Sequence, residues 1–279
     1  MKQKKKMKTS HFLRRYGRII VAGFVLFLIC LVAIFAPLIA THDPQEVNIR
    51  NKSITPNEEY LFGTDTYGRD IFSRVIYGSR ISIVISLAVN VLAIVVGAIL
   101  GLITGYFRAA DQIIMRILEG INALPSLLLA IVLSTVLGPG VDKLILCLTV
   151  VNLPGIARLV RSQVLSIKEK EFIESAKACG ASNLRIIFKY ILPLCSSPLI
   201  LRFTNGLSST ILTQASLSFL GVGLDPRLPT WGGIISEGRM SVMVYPHMCT
   251  YAGFAIIITV FAFSIMGDGV RDVLDPKLR

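Results

Sequence analysis

The chain has 279 residues, of which 53% are hydrophobic and 16% are charged, and its formal net charge is +12. Soluble domains contain about 25% charged residues, so this composition is too apolar to supply the surface of a soluble protein of this size. The positive charge suits either a nucleic-acid-binding protein or the cytoplasmic segments of a membrane protein. The long apolar runs favour the membrane, and we expect no nucleic-acid partner.

A membrane-spanning helix needs about 20 consecutive apolar residues. Charge-free runs predict six transmembrane helices and therefore an all-α integral membrane protein. The fourth run is the shortest, and it reaches spanning length only if Lys143 and Arg158 extend to the two interfaces. The six runs cover residues 19–40, 81–107, 120–141, 144–157, 203–224 and 240–267.

Lysine and arginine are unevenly distributed between the segments that connect these runs. The N-terminal tail and the segments on its side of the membrane hold 20 of them, whereas the alternate segments hold 8. Positively charged loops stay in the cytoplasm, so we expect a multi-pass protein of the cell membrane with both termini cytoplasmic. Segments 41–80 and 222–247 are then external.

The first external segment is rich in proline, asparagine, aspartate and threonine, which predicts a loop ordered by turns. Its last part, residues 70–80, mixes apolar residues with Arg74 and Arg80. This pattern predicts a short amphipathic helix at the outer interface.

Polar side chains form stripes on two of the predicted spans. Unpaired polar groups are costly in lipid, so each stripe must face protein or water, and both helix packing and a substrate path remain open. The candidate path residues are Ser82, Ser86 and Asn90 in the second span, and Asn205, Ser209, Thr213 and Ser216 in the fifth. Arg202 stands at the predicted start of the fifth span.

Small residues on the second span predict close packing against another helix. Gly97, Gly101 and Gly105 recur every four residues and so share one helix face.

The spans lack the residues that other membrane functions use. No span has Asp, Glu or Lys near its middle, which argues against an ion-coupled carrier. No acid–base or nucleophile–base pair is visible for a membrane-embedded enzyme. Five cysteines and three histidines show no metal-ligand spacing, so we expect no metal site.

The segment at about 165–195, between the fourth and fifth spans, is too long and too regular for a simple connector. Its apolar residues follow helical spacing on both sides of Gly180, where a helix can end or turn. This pattern predicts a cytoplasmic helix–turn–helix that docks a partner.

Six residues of this segment give the sequence a family resemblance. They resemble the EAA loop of binding-protein-dependent ABC importer permeases, with Ser175 where the family usually has alanine. The resemblance implies a type I importer permease fold in which this loop forms the coupling helix that docks the ATPase. The matching residues are Glu174, Ser175, Ala176, Gly180, Leu192 and Pro193.

Four further segments are similar to the dipeptide, oligopeptide and nickel importers, specifically to the second permease of the pair. They are residues 61–80, 218–223, 231–232 and 267–276. The resemblance divides the chain into an N-terminal part, 1–80, which holds the tail, the first span and the external loop, and a five-helix core permease domain, 81–279.

The resemblance also implies partners. They are a homologous permease that completes a heterodimer, two cytoplasmic ATPases that use ATP and Mg²⁺, and an external solute-binding protein. The chain has no G-x-x-x-x-G-K-[ST] motif, so we expect a transport subunit that binds no cofactor and hydrolyses no ATP. The expected solute is a di- or oligopeptide, and nickel or a metal chelate is the alternative.

Overall fold

The computed structural model describes residues 2–274, with side chains from residue 17 to residue 273. The described part is helical apart from one isolated β-bridge between Thr64 and Asp70. Short 3-10 turns cover Ile49–Asn51 and Arg239–Ser241, and a π turn covers Ile186–Ile191. The α-helices are α1 Lys2–Ile34, α2 Ala36–Ile39, α3 Ile71–Tyr106, α4 Arg108–Asn122, α5 Ser126–Leu137, α6 Val141–Lys168, α7 Glu171–Ala178, α8 Asn183–Arg185, α9 Leu192–Phe219, α10 Trp231–Gly238 and α11 His247–Leu274.

Within the described residues, five helical segments are long and apolar enough to cross a membrane. They lie in α1, α3, α6, the continuous run from α8 to α9, and α11. A sixth span is present if α4 and α5, which meet at 93°, count as one broken span. The prediction of an all-helical multi-pass membrane protein is confirmed.

The third predicted span, 120–141, is wrong as a straight helix. The chain bends between α4 and α5, where Pro125 follows Leu124. Proline lacks an amide hydrogen and disfavours helical geometry in the residue before it. The break therefore follows from the proline inside the apolar run.

Several other predicted boundaries shift. The first span breaks at Phe35, ahead of the short α2. The fourth extends to Val141–Lys168 and the sixth to His247–Leu274. The fifth begins at Leu192 or earlier, because Arg202 lies inside the helix and not at its start.

The predicted amphipathic helix at 70–80 is not a separate element. Its residues form the first turns of α3, which Asp70 caps by accepting a hydrogen bond from the Ser73 amide at 2.9 Å. Arg74 is buried, with 1% of its surface exposed. Asp70 and Arg74 therefore lie in the protein interior and not at a lipid interface, whereas Arg80 is exposed.

The two ends of the helix bundle are formed by different segments of the chain. The loop end holds residues 41–70 and 220–246. The α7 end holds residues 168–185, where the Tyr106 hydroxyl donates to Asn183 Oδ1 at 2.7 Å and Lys168 Nζ donates to Gly105 O at 3.1 Å. Helix α3 connects the two ends.

Helix α3 packs closely along α6 through its glycines. A Cβ atom at Gly97 would lie 2.7 Å from an Ile156 side-chain atom, and one at Gly101 would lie 2.6 Å from the Ala157 carbonyl oxygen. A Cβ atom at Gly105 would lie 2.5 Å from a Val164 side-chain atom. The predicted packing role of this glycine stripe is confirmed.

We expect Gly101→Ala to destabilise the protein by about 1–3 kcal/mol, because the added methyl group forces two packed helices apart. The measurement is thermal unfolding in detergent. Gly253→Ala in α11 is the matched control, since no atom lies within 4 Å of its Cβ position. Equal melting temperatures for the two variants would contradict the close contact.

Candidate coupling surface and transport path

Helix α7 lies at one end of the bundle and is held by one buried side chain. Ile173 is fully buried and packs in a cluster with Ile167, Ile186 and Ile191. Glu171 lies in the first turn of α7 and Lys177 in the last, an order that complements the helix dipole. The opposite face of α7 is left exposed.

Gly180 makes the turn after α7. Its φ is +80°, and no atom lies within 4 Å of its Cβ position. The Gly180 amide donates to Lys177 O at 2.9 Å and the Ala181 amide to Ala176 O at 3.0 Å. These bonds satisfy carbonyls that a helix end leaves free, and they confirm the predicted helix–turn–helix.

Exposed apolar side chains surround this turn. Phe172, Leu184 and Phe188 keep 42%, 66% and 62% of their surface exposed. Large apolar side chains grouped at one surface are typical of a protein-interaction site. We call Phe172, Leu184 and Phe188, with the exposed face of α7, the coupling surface.

The six motif residues fall into two groups. Glu174, Ser175 and Gly180 are exposed and Ala176 is half-buried, all at α7 and its turn. Leu192 and Pro193 instead begin α9, directly after the π turn. Pro193 has no amide hydrogen, so the usual helical bond at this point is missing, and the preceding turn is wound more loosely.

The polar stripe of α9 consists of Asn205, Ser209, Thr213 and Ser216. Thr213 is half-buried and the other three are exposed. The three hydroxyl groups donate to carbonyls of α9 itself, Ser209 to Gly206 O at 3.0 Å, Thr213 to Ser209 O at 2.9 Å and Ser216 to Leu212 O at 2.8 Å. The three hydroxyl groups thus offer acceptor lone pairs on a face that the described residues leave partly open.

The second set of predicted path residues occupies a different place. Ser82, Ser86 and Asn90 are buried between α3 and α9. Ser86 Oγ donates to Leu207 O at 3.1 Å, and Asn90 Nδ2 donates to Thr210 Oγ1 at 3.0 Å. Burial of all three residues favours the packing alternative, and the path proposed below uses the α9 stripe alone.

Arg202 lies on the same face of α9 as the stripe, one to two turns toward the α7 end. It is half-buried, and its Nη2 lies 3.6 Å from the Cβ position of Gly155 in α6. Among the described residues it forms no ion pair or hydrogen bond. By contrast, Arg161 of α6 is paired with Asp111 of α4 at 2.5 Å.

A buried ion cluster joins the loop end to α10, and sequence reasoning missed it. Arg69 contacts Asp65 at 2.7 Å and Glu237 at 2.5 Å, and Arg74 contacts both acids. Trp231 reinforces the junction by donating from Nε1 to the Val75 carbonyl at 2.9 Å. Alternating acids and arginines at 65–74 were a signal, but the distant partner Glu237 was not visible from sequence.

Comparison with known proteins places the chain in a family. Residues 93–279 match the model for the binding-protein-dependent transport system inner membrane component, and residues 13–57 match the N-terminal TM domain of oligopeptide transport permease C. The inward-facing MetNI methionine ABC transporter has a similar fold. Its TM-score is 0.61 at 21% identity, and the alignment covers 74% of this chain and 98% of that chain.

Two relatives extend the similarity over nearly the whole chain. The dipeptide transport system permease protein DppC of Alkalihalophilus pseudofirmus is 42% identical over 94% of this chain and 85% of its own length. The glutathione transport system permease protein GsiD of Escherichia coli O6:K15:H31 is 40% identical over 96% and 89%. The chain belongs to the family of binding-protein-dependent transport system inner membrane components and is a permease subunit of an ABC importer.

Proposed function

We propose that this permease imports di- or oligopeptides that an external solute-binding protein delivers. The observation that carries the proposal is the family membership of the chain together with the names of its relatives, which are dipeptide and glutathione permeases. Glutathione is itself a small peptide, so these names share one chemical class.

The complete importer in this proposal has four kinds of component. A second homologous permease pairs with this chain, two ATPases hydrolyse ATP with Mg²⁺, and the binding protein docks at the loop end. Both termini and the α7 end face the cytoplasm, which the charge distribution supports. Residues 1–80 act as an N-terminal part added to the core permease domain 81–279.

The exposed coupling surface supports a docking role for α7. Its apolar side chains remain partly exposed among the described residues. A docked ATPase would remove them from water. Movement of the ATPases would then be transmitted through α7 to α6 and α9, between which the Ile173 cluster packs. The spans would alternate between outward-open and inward-open states.

In this proposal the solute moves along the polar stripe of α9. Hydroxyl groups that already donate to their own helix present acceptor oxygens to a passing amide without a fixed negative charge. Such a surface binds peptide groups weakly enough to release them. Bare nickel would meet no cluster of His, Cys, Asp or Glu along the described residues.

The test is uptake of a labelled peptide by the importer reconstituted in liposomes with its binding protein and internal ATP. We expect ATP-dependent uptake by the wild type and a drop of about tenfold for Ser209→Trp, because the indole fills the path. Val91→Trp, on an exposed part of α3, is the control and should transport normally.

Complex assembly, measured by co-purification of the ATPases, should be the same for both variants. Uptake of nickel or a nickel chelate in place of peptide would overturn the proposed solute. Normal transport by Ser209→Trp would show that the stripe serves only packing.

A further inference from the structure

Arg202 is a cation inside a spanning helix, and no described residue forms an ion pair with it. It lies ten residues after Leu192, which is about 15 Å along the helix axis. Charged side chains in spanning segments are costly and face the bundle interior or a water-filled cavity, where they mark solute pathways. Since no described residue pairs with Arg202, its guanidinium is available to water or to an anion of another molecule.

The surroundings of Arg202 leave one side of the guanidinium open. Gly155 of α6, beside Nη2, is exposed and has no side chain. Asn205, the stripe residue one turn after Arg202, packs with its Oδ1 against Gly267 of α11. Asp268, which follows Gly267, is exposed and forms no ion pair with Arg202. The guanidinium thus borders the open face that carries the stripe.

Two acids of the described spans and loops are engaged with other arginines. Asp111 is paired with Arg161, and Glu237 is paired with Arg69 and Arg74. No described acid is paired with Arg202, which leaves its guanidinium free for an anion of another molecule. Arg202 is continuous with the uncharged stripe along which a solute would move, and this position favours an anionic group of the solute.

We propose that the Arg202 guanidinium binds the C-terminal carboxylate of the transported peptide at the α7 end of the stripe. This inference rests on the proposed function. A guanidinium offers planar paired donors that match the two oxygens of a carboxylate. The neutral hydroxyl oxygens of Ser209 and Thr213 then accept hydrogen bonds from the amide groups of the same peptide.

The charge of Arg202 also separates the candidate solutes. A fixed positive charge beside the path repels a bare metal cation and attracts an anionic group. A peptide with a free carboxylate satisfies the guanidinium without any further ligand.

The experiment compares uptake of one peptide as its free acid and as its C-terminal amide, using the reconstituted importer with saturating loaded binding protein. In Arg202→Gln, uptake of the acid should fall about tenfold while uptake of the amide changes less than about twofold. The binding protein is identical in all samples, so its own preference cancels in the variant-to-wild-type ratios. Arg202→Lys should restore part of the acid uptake.

Two further variants complete the test. Arg116→Gln removes an exposed cation from α4. The variant-to-wild-type uptake ratio should then stay near one for both the acid and the amide. Gly155→Leu keeps the charge but covers the guanidinium, so it should lower acid uptake more than amide uptake. Its Cβ meets no atom except Arg202 Nη2 within 4 Å, so the fold should tolerate it.

The outcomes are distinguishable. Equal losses for acid and amide in Arg202→Gln would overturn the carboxylate site and leave peptide import standing. Loss of assembly without peptide would assign Arg202 to an acid of the second permease and also overturn it. Failure of the wild type to import any peptide would refute the proposed function itself.

Discussion

Replacing Gly180 by valine should uncouple ATP hydrolysis from uptake, with at least a tenfold loss of transport. Gly180 has a φ of +80°, a left-handed conformation that costs a non-glycine residue about 1–2 kcal/mol and a β-branched residue more. No atom lies within 4 Å of its Cβ position, so any defect comes from the backbone and not from a clash. The turn that presents α7 and Leu184 would be populated less or be remodelled.

The measurement is peptide-stimulated ATPase activity in liposomes, beside co-purification of the ATPase. Gly180→Asn is the matched control, because asparagine tolerates positive φ better than other side chains, and it should keep most of the coupling. Ala176→Asp tests the same surface without touching the turn, since a charge there would be unpaired in a docked interface. Normal stimulation and normal co-purification in both Gly180→Val and Ala176→Asp would refute the docking role of α7.

Replacing Arg74 by methionine should destabilise the loop end by about 3–5 kcal/mol. Arg74 is 1% exposed and contacts both Asp65 and Glu237. Its removal leaves the buried Asp65 and the half-buried Glu237 with only Arg69 between them. The loss of one partner from a buried ion cluster costs more than a surface pair contributes, because the remaining charges stay out of water.

This prediction is checked by thermal unfolding in detergent and by proteolysis of segment 41–70. Arg80→Met is the control, because Arg80 is exposed on the same helix and has no ion pair among the described residues. A double variant with Arg74→Met and Glu237→Gln should recover part of the lost stability. Equal stability of Arg74→Met and Arg80→Met would show that the cluster is not a structural junction.

The sequence predicted the elements that depend on local composition. Long charge-free runs are too apolar for water and too regular for loops, so the membrane helices at α1, α3, α6, α9 and α11 were recognisable. Gly180 between two helical patterns predicted the turn after α7, and Gly97, Gly101 and Gly105 predicted a close helix contact. These signals depend on residues near one another along the chain.

Helix boundaries were predicted less well, because charge marked them in the sequence and packing sets them in the structure. Arg202 was taken as the start of the fifth span, yet α9 already begins at Leu192 and continues through it. Residues 70–80 were predicted to lie at an interface, yet Arg74 is buried because Glu237 neutralises it from 163 positions away.

The roles of the two polar stripes could not be distinguished from the sequence alone. Both have helical spacing and the same residue types, so local chemistry could not separate packing from a path. The tertiary structure distinguishes their surroundings, because Asn90 bonds Thr210 across the α3–α9 contact while Ser209 is exposed. Sequence by itself determined the membrane class, the turn at Gly180 and the family resemblance, which all follow from local pattern. Only the tertiary structure decided which polar groups meet a partner within the chain, because that depends on which distant helix packs against each face.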